Sequence, residues 1–105
     1  MGEIFSKFAG DEHWQELLEE FVAQITRRLA ALERAIATDD FASLSVLAHQ
    51  LKGACGSYGF DQITPLADRL ERALIEHPWT GGAHEELAIF IDALQRITYR
   101  SPPRL

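Results

Sequence analysis

Residues 41–60 read FASLSVLAHQLKGACGSYGF, and their apolar side chains recur every three or four positions. This spacing predicts an amphipathic α-helix with one buried face. At about 100° of rotation per residue, the buried face centres on Leu51, and His49 falls about 160° away, on the side facing solvent. The predicted buried face consists of Phe41, Leu44, Leu47, Ala48, Leu51, Ala54, Cys55 and Tyr58.

Most of the side chains around His49 on the exposed face are small. Two of them are glycines, Gly53 and Gly56, and a glycine costs a helix interior roughly 1 kcal/mol relative to alanine. Since both fall outside the predicted buried face, we interpret them as keeping the surface low so that another molecule can approach His49. The alternatives are an ordinary solvated histidine and a tight helix crossing at the glycines. The predicted partner-binding residues are Ala42, Ser45, Val46, Gly53 and Gly56.

The charge pattern around His49 is also uneven. Residues 41–60 contain no Asp or Glu, although an even distribution of the 16 acidic residues over 105 positions would place about three there. The only formal charge in this stretch is Lys52, and positions three apart are neighbours on a helix. We therefore expect Lys52 to lie beside any anion carried on the imidazole, with no carboxylate of the same helix to repel that anion.

The rest of the chain shows the same helical period. Strict alternation of apolar and polar residues is absent, so no β-strand is expected. Short connections favour antiparallel neighbours, and the predicted fold is an all-α, up-down-up-down four-helix bundle. Residues 1–105 are expected to form one domain, with 1–10 as an N-terminal segment and 101–105 as a tail. The predicted helices cover residues 11–37, 40–58, 61–76 and 82–99.

Local signals refine the ends of these helices. Asp11 is the predicted N-cap of the first helix. Pro65 is expected in the first turn of the third, where a missing N–H costs little. Trp79, in the break over 78–82, is expected to cover one end of the bundle. A short N-terminal helix that packs on the bundle is predicted from Ile4, Phe5 and Phe8.

Composition limits the class of protein. The chain is 47% hydrophobic and 25% charged, which is ordinary for a globular domain. No apolar run approaches the roughly 20 residues of a membrane span, no secretory signal is evident, and one cysteine forms no internal disulfide. A net charge of −6 argues against binding to nucleic acid or anionic lipid. We expect a monomeric, cytoplasmic module that acts on other proteins, not on nucleic acid or membranes.

Other residues with reactive side chains form no recognisable site. The remaining histidines, His13, His77 and His84, are scattered and do not lie at metal-ligand spacing, so no metal site is expected. Cys55 falls on the core side, which predicts a buried, inert thiol. The glycines of this region match neither the P-loop nor the dinucleotide fingerprint, so ATP binding and kinase activity are not expected.

Residues 48–60, AHQLKGACGSYGF, resemble the signature of histidine-containing phosphotransfer domains, the HPt family of multistep two-component phosphorelays. The family pattern is His-x-Leu-Lys-Gly, followed by small residues and a glycine near the end of the helix. The resemblance extends into the third predicted helix, and helix number and chain length agree with the family over essentially the whole chain. The matching positions of the third helix are Ile63, Leu66, Leu70 and Glu71.

The resemblance implies a role for each matching residue. His49 would be the phosphorylated nucleophile, accepting a phosphoryl group from an aspartyl phosphate and passing it to another receiver domain. Lys52 would be the phosphate-stabilising cation, and Gly53 the small residue beneath the approaching partner. The implied partners are response-regulator receiver domains and a hybrid sensor kinase, with Mg²⁺ on the receiver and no cofactor on this chain.

Two other functions remain open. One is a four-helix adaptor in which His49 is never phosphorylated. The other is a hydrolase or transferase with a substrate pocket of its own. The sequence shows no second catalytic group on the His49 face, which argues against this function.

Overall fold

The computed structural model describes residues 2–77 and 83–103, which form four α-helices and one short pair of strands. The helices are α1 (Gln15–Ala37), α2 (Phe41–Ser57), α3 (Ile63–Glu76) and α4 (His84–Arg96). The strands are β1 (Ile4–Phe5) and β2 (Ile97–Thr98). The predicted all-α four-helix bundle is confirmed, and none of the helices in these residues has the length and apolar character of a membrane span.

Amphipathic packing holds the bundle together. Each helix contributes its periodic apolar face to one core, and α2 packs most extensively against α3. On α2 four residues of the predicted buried face, Leu44, Ala48, Leu51 and Cys55, are fully buried. The largest fully buried side chains are Phe60, Phe90, Leu18, Ile25, Leu32, Leu44, Leu51, Ile63, Leu70 and Leu94.

Side-chain and backbone caps determine the length of α2. At its start, the Asp40 carboxylate accepts a hydrogen bond from the Ser43 N–H at 3.1 Å and another from the Ser43 hydroxyl. These bonds lower the pKa of Asp40. At its end, Gly59 has a φ of 82°, and the Phe60 N–H donates to the Cys55 carbonyl. This left-handed closure is the Schellman ending that glycine favours.

The N-terminal segment differs from the prediction. Ile4 and Phe5 do not begin a helix: they pair in parallel with Ile97 and Thr98, so both the extra helix and the absence of strands were wrong. A pairing of two residues on each side is too short to leave an alternating pattern. The strand also accounts for the end of α4 at Arg96, three residues before the predicted end.

Helix α1 begins four residues later than predicted. Asp11 does not cap the helix: its carboxylate accepts from the His13 N–H at 2.9 Å, and its carbonyl accepts from the Trp14 N–H. Asp11 therefore stabilises a turn that precedes the helix, in the manner of an Asx-turn. Pro65 lies in the first turn of α3 as expected. The predicted break over 78–82, with Trp79, lies outside the described residues.

The turn between α2 and α3 is held by the N-terminal segment. The Ser6 hydroxyl donates to the Tyr58 carbonyl at 2.6 Å, and the Lys7 N–H donates to the Gly59 carbonyl at 2.9 Å. Lys7 also pairs with Asp61 at 3.2 Å. These bonds fix the turn that sets the register of α3 against α2.

Candidate functional site

His49 lies in the middle of α2, and its side chain is 73% exposed. The burial of its neighbours follows the helical period: Ala48 and Leu51 are fully buried, whereas Gln50 is exposed. The helical phase inferred from the sequence is therefore the one that the structure shows. An exposed imidazole at this position is open to a large partner.

A carboxylate of α3 faces the imidazole. The Nδ1 atom of His49 lies 3.4 Å from the Oε2 atom of Glu71, longer than the ~3.2 Å limit of an ordinary N–H···O hydrogen bond but close enough for the carboxylate to attract a proton on Nδ1. The Glu71 side chain is only 25% exposed. No acid was predicted beside His49, because the spacing of residues within α2 does not show which side chains of α3 lie against it.

Lys52 lies on the same face, engaged with two carboxylates of α3. Its Nζ atom lies 2.6 Å from Asp68 Oδ1 and 3.4 Å from Glu71 Oε1. The hydrogen bond to Asp68 is the main cause that raises the pKa of Lys52, and the same bond lowers the pKa of Asp68. Lys52 is therefore close to His49 as predicted, but it already has an anionic partner.

Glu71 connects the two functional groups. One carboxylate oxygen faces His49 and the other faces Lys52. The second oxygen, Oε1, is buried and makes no hydrogen bond within the described residues, so its 3.4 Å approach to Lys52 is an ion contact. A single side chain of α3 thus contacts the imidazole and the ammonium together.

The two glycines of α2 differ in their surroundings. A Cβ atom built at Gly53 would meet nothing within 4 Å, so no internal packing requires a glycine there. A Cβ atom at Gly56 would lie 3.7 Å from the Thr64 hydroxyl of α3, and Gly56 is half-buried. Both glycines lie outside the buried face as predicted, but only Gly53 is exposed, whereas Gly56 is half-buried beside α3.

The other predicted partner-binding residues lie on the N-terminal half of α2. Ala42 and Ser45 are exposed, and Val46, one turn before His49, is 54% exposed. Beside them an open apolar groove of about 450 Å³ separates α1 from α2. The groove is lined by Ala31, Ala42, Ser43, Val46 and Leu47.

The remaining reactive side chains form no second site in the described part of the chain. No group of three or more His, Cys, Asp or Glu residues there is arranged to hold a metal ion. Burial raises the pKa of Cys55 to about 12, against the opposing effect of Arg28, so its thiol stays protonated and unreactive. His13, His77 and His84 are exposed.

The family model of the Hpt domain matches residues 16–97. The match spans nearly all of α1 and the whole of α2, α3 and α4, and it includes His49, Lys52 and Glu71. The search of curated proteins and the search of solved structures each found no match.

Proposed function

Because the chain belongs to the Hpt domain family, we propose that His49 accepts a phosphoryl group from the aspartyl phosphate of one receiver domain and passes it to another. Hpt domains act in phosphotransfer within phosphorelays. The observation that carries the proposal is the exposed His49 imidazole, with Glu71 at its Nδ1 atom and Lys52 alongside.

Glu71 prepares the imidazole for attack. A neutral histidine carries its single ring proton on either nitrogen, and a carboxylate beside Nδ1 favours the tautomer protonated there. The lone pair is then on Nε2, which has no hydrogen-bond partner among the described residues. Nε2 therefore serves as the nucleophile.

The transfer step follows from this arrangement. The Nε2 lone pair forms a bond to phosphorus, the bond from phosphorus to the aspartyl oxygen breaks, and the receiver carboxylate leaves with the electron pair. The ring keeps its Nδ1 proton and gains positive charge, which the Glu71 carboxylate stabilises. In the next transfer, an aspartate oxygen of the second receiver forms a bond to phosphorus, the Nε2–phosphorus bond breaks, and the neutral imidazole leaves with the electron pair.

The small residues of α2 allow the close approach that this step needs. Transfer depends on positioning and charge neutralisation more than on further protein chemistry. Gly53, one turn after His49, leaves room for the loops around the receiver aspartate, and the groove beside Val46 offers apolar surface for the rest of the receiver. Ala42 and Ser45 would lie under the same partner.

The proposal also covers what the chain does not supply. The Mg²⁺ for the transfer would be held by the receiver domain, and the phosphoryl group would originate from a hybrid sensor kinase. The chain itself would be a carrier without kinase activity, acting as a cytoplasmic monomer. We expect incubation with ATP alone to leave it unlabelled.

Transfer from a labelled receiver tests the proposal. Purified receiver domains, loaded with ³²P from labelled acetyl phosphate, would be mixed with the parent chain, with His49→Gln and with His13→Gln. We expect label on the parent and on His13→Gln, whose altered histidine is also exposed, but none on His49→Gln. Absence of label from the parent across a panel of receivers would favour the adaptor function instead.

A further inference from the structure

Two carboxylates of α3 lie at the candidate site, and the proposed transfer step uses only one of them. Glu71 contacts the imidazole, whereas Asp68, one turn earlier on α3, contacts only Lys52 among the groups of this site. The Lys52–Asp68 contact of 2.6 Å is also the shortest that Lys52 makes there. Asp68 is therefore the nearest anionic partner of Lys52, the one cation that α2 contributes.

Phosphorylation would create competition for that cation. A phosphoryl group carries roughly −1.5 to −2 charges, and Lys52 is the only charged residue on α2. The His49 imidazole contacts one oxygen of the Glu71 carboxylate, and the Lys52 ammonium contacts the other. We therefore expect the flexible lysine side chain to be able to turn toward a phosphoryl group on the ring. If Lys52 stays with Asp68, the new anion lies near the Glu71 carboxylate, and the cation of α2 is held by another acid.

Asp68 has a second cation available. Arg72, one turn further along α3, also interacts with Asp68 and helps to lower its pKa. When Lys52 turns toward a phosphoryl group, Asp68 therefore keeps a positive neighbour. The exchange costs Lys52 its short hydrogen bond but leaves no isolated charge.

We propose, as an inference that rests on the proposed function, that Asp68 is a positioning residue that draws Lys52 away from the phosphoryl group and so lowers the equilibrium occupancy of His49. The chemical step of transfer is unchanged. Asp68 alters only the stability of phosphorylated His49 relative to the phosphorylated receiver. A carrier that holds the group less firmly releases it more completely to the next receiver.

The equilibrium between receiver and carrier measures this effect. A receiver that labels the parent chain would be brought to equilibrium with the parent, with Asp68→Asn and with Asp92→Asn, and the ratio of the two phosphoproteins would be measured. Asp92 pairs with Arg96 on α4, so its substitution removes the same charge from an ion pair outside the site. We expect Asp68→Asn to raise the ratio of phosphorylated carrier to phosphorylated receiver about two- to fivefold, which corresponds to the free energy of an exposed ion pair. Asp92→Asn should give the parent ratio.

The same measurement in a Lys52→Gln background shows whether Asp68 acts through Lys52. There, Asp68→Asn should change the ratio by much less than in the parent. The inference is overturned if Asp68→Asn and Asp92→Asn give the same ratio, or if the full shift persists without Lys52. A parent chain that no receiver labels would instead refute the proposed function, and the inference with it.

Discussion

The Nδ1 atom of His49 on α2 lies 3.4 Å from the Oε2 atom of Glu71 on α3. The imidazole is mostly exposed and the carboxylate mostly buried, so the buried member orients the exposed one. In the proposed mechanism, this pairing leaves Nε2 to face the receiver domain, and the carboxylate would stabilise the positive charge that develops on the ring during transfer.

Replacing Glu71 should slow phosphorylation of His49. We expect Glu71→Ala to lower the rate about 10- to 100-fold, the usual effect of removing a group that orients a functional histidine. Glu71→Gln should lie between Ala and the parent, because its amide oxygen can still attract the Nδ1 proton but carries no net charge. Transfer time courses give the rates, and ¹⁵N chemical shifts of the ring give the tautomer. Parent-like rates and tautomer in Glu71→Ala would contradict this role.

Gly53 should be dispensable for folding but not for transfer. Since a Cβ atom there meets nothing within 4 Å, Gly53→Ala should stabilise the domain by up to about 1 kcal/mol through helix propensity. Gly53→Gln should keep part of that gain but transfer on the order of a hundredfold more slowly, because a side chain displaces the receiver. Thermal melts and time courses on the same proteins decide the matter. A destabilised Gly53→Gln that transfers at the parent rate would show that the glycine serves internal packing.

Gly59 provides the opposite case on the same segment. Its φ of 82° and the Ser6 hydroxyl, 2.6 Å from an added Cβ, leave no room for a side chain. We expect Gly59→Ala to destabilise the fold by about 1–3 kcal/mol. Chemical denaturation measures the change, and a neutral or stabilising effect would mean that the N-terminal segment does not hold the turn as the structure shows.

The Lys52–Asp68 pair should make stability depend on pH in acid. The pKa of Asp68 is lowered in the folded protein, so the unfolded chain binds the proton more readily. The contribution of the pair is therefore complete above about pH 4 and is lost as the pH falls through the lowered pKa of the folded state. Unfolding midpoints measured at pH 7 and pH 3 should fall less in Asp68→Asn than in the parent. Equal losses in the two proteins would show that the pair does not respond to acid.

The face of α2 could be predicted from sequence, but the surroundings of His49 could not. Helical phase depends only on residue spacing, so the exposure of His49 and the burial of Leu51 follow from the order of residues. The approach of Asp68 and Glu71 depends on the register between α2 and α3, which spacing within one helix does not define. The spacing of Asp68 and Glu71, one turn apart on α3, was a visible signal, but it indicated no partner.

Local hydrogen bonding explains the other differences. Asp11 has the residue type of an N-cap but stabilises a separate turn, and sequence does not distinguish these uses of a side-chain oxygen. Ile4 and Phe5 form a strand too short to show an alternating pattern, and nothing local indicates their partners, Ile97 and Thr98, at the far end of the chain. Gly56 was predicted on the exposed face but is half-buried, because helical phase takes no account of Thr64 on the neighbouring helix.

Locating the phosphoryl group by NMR tests the central claim most directly. The ¹⁵N-histidine-labelled chain would be phosphorylated by a receiver domain, and the nitrogen bonded to phosphorus would be identified from its ¹⁵N shift and its coupling to ³¹P. We predict a single phosphorylated nitrogen, Nε2 of His49, with the proton retained at Nδ1 beside Glu71. Phosphate on Nδ1, on another residue, or on no residue of the chain would contradict the account.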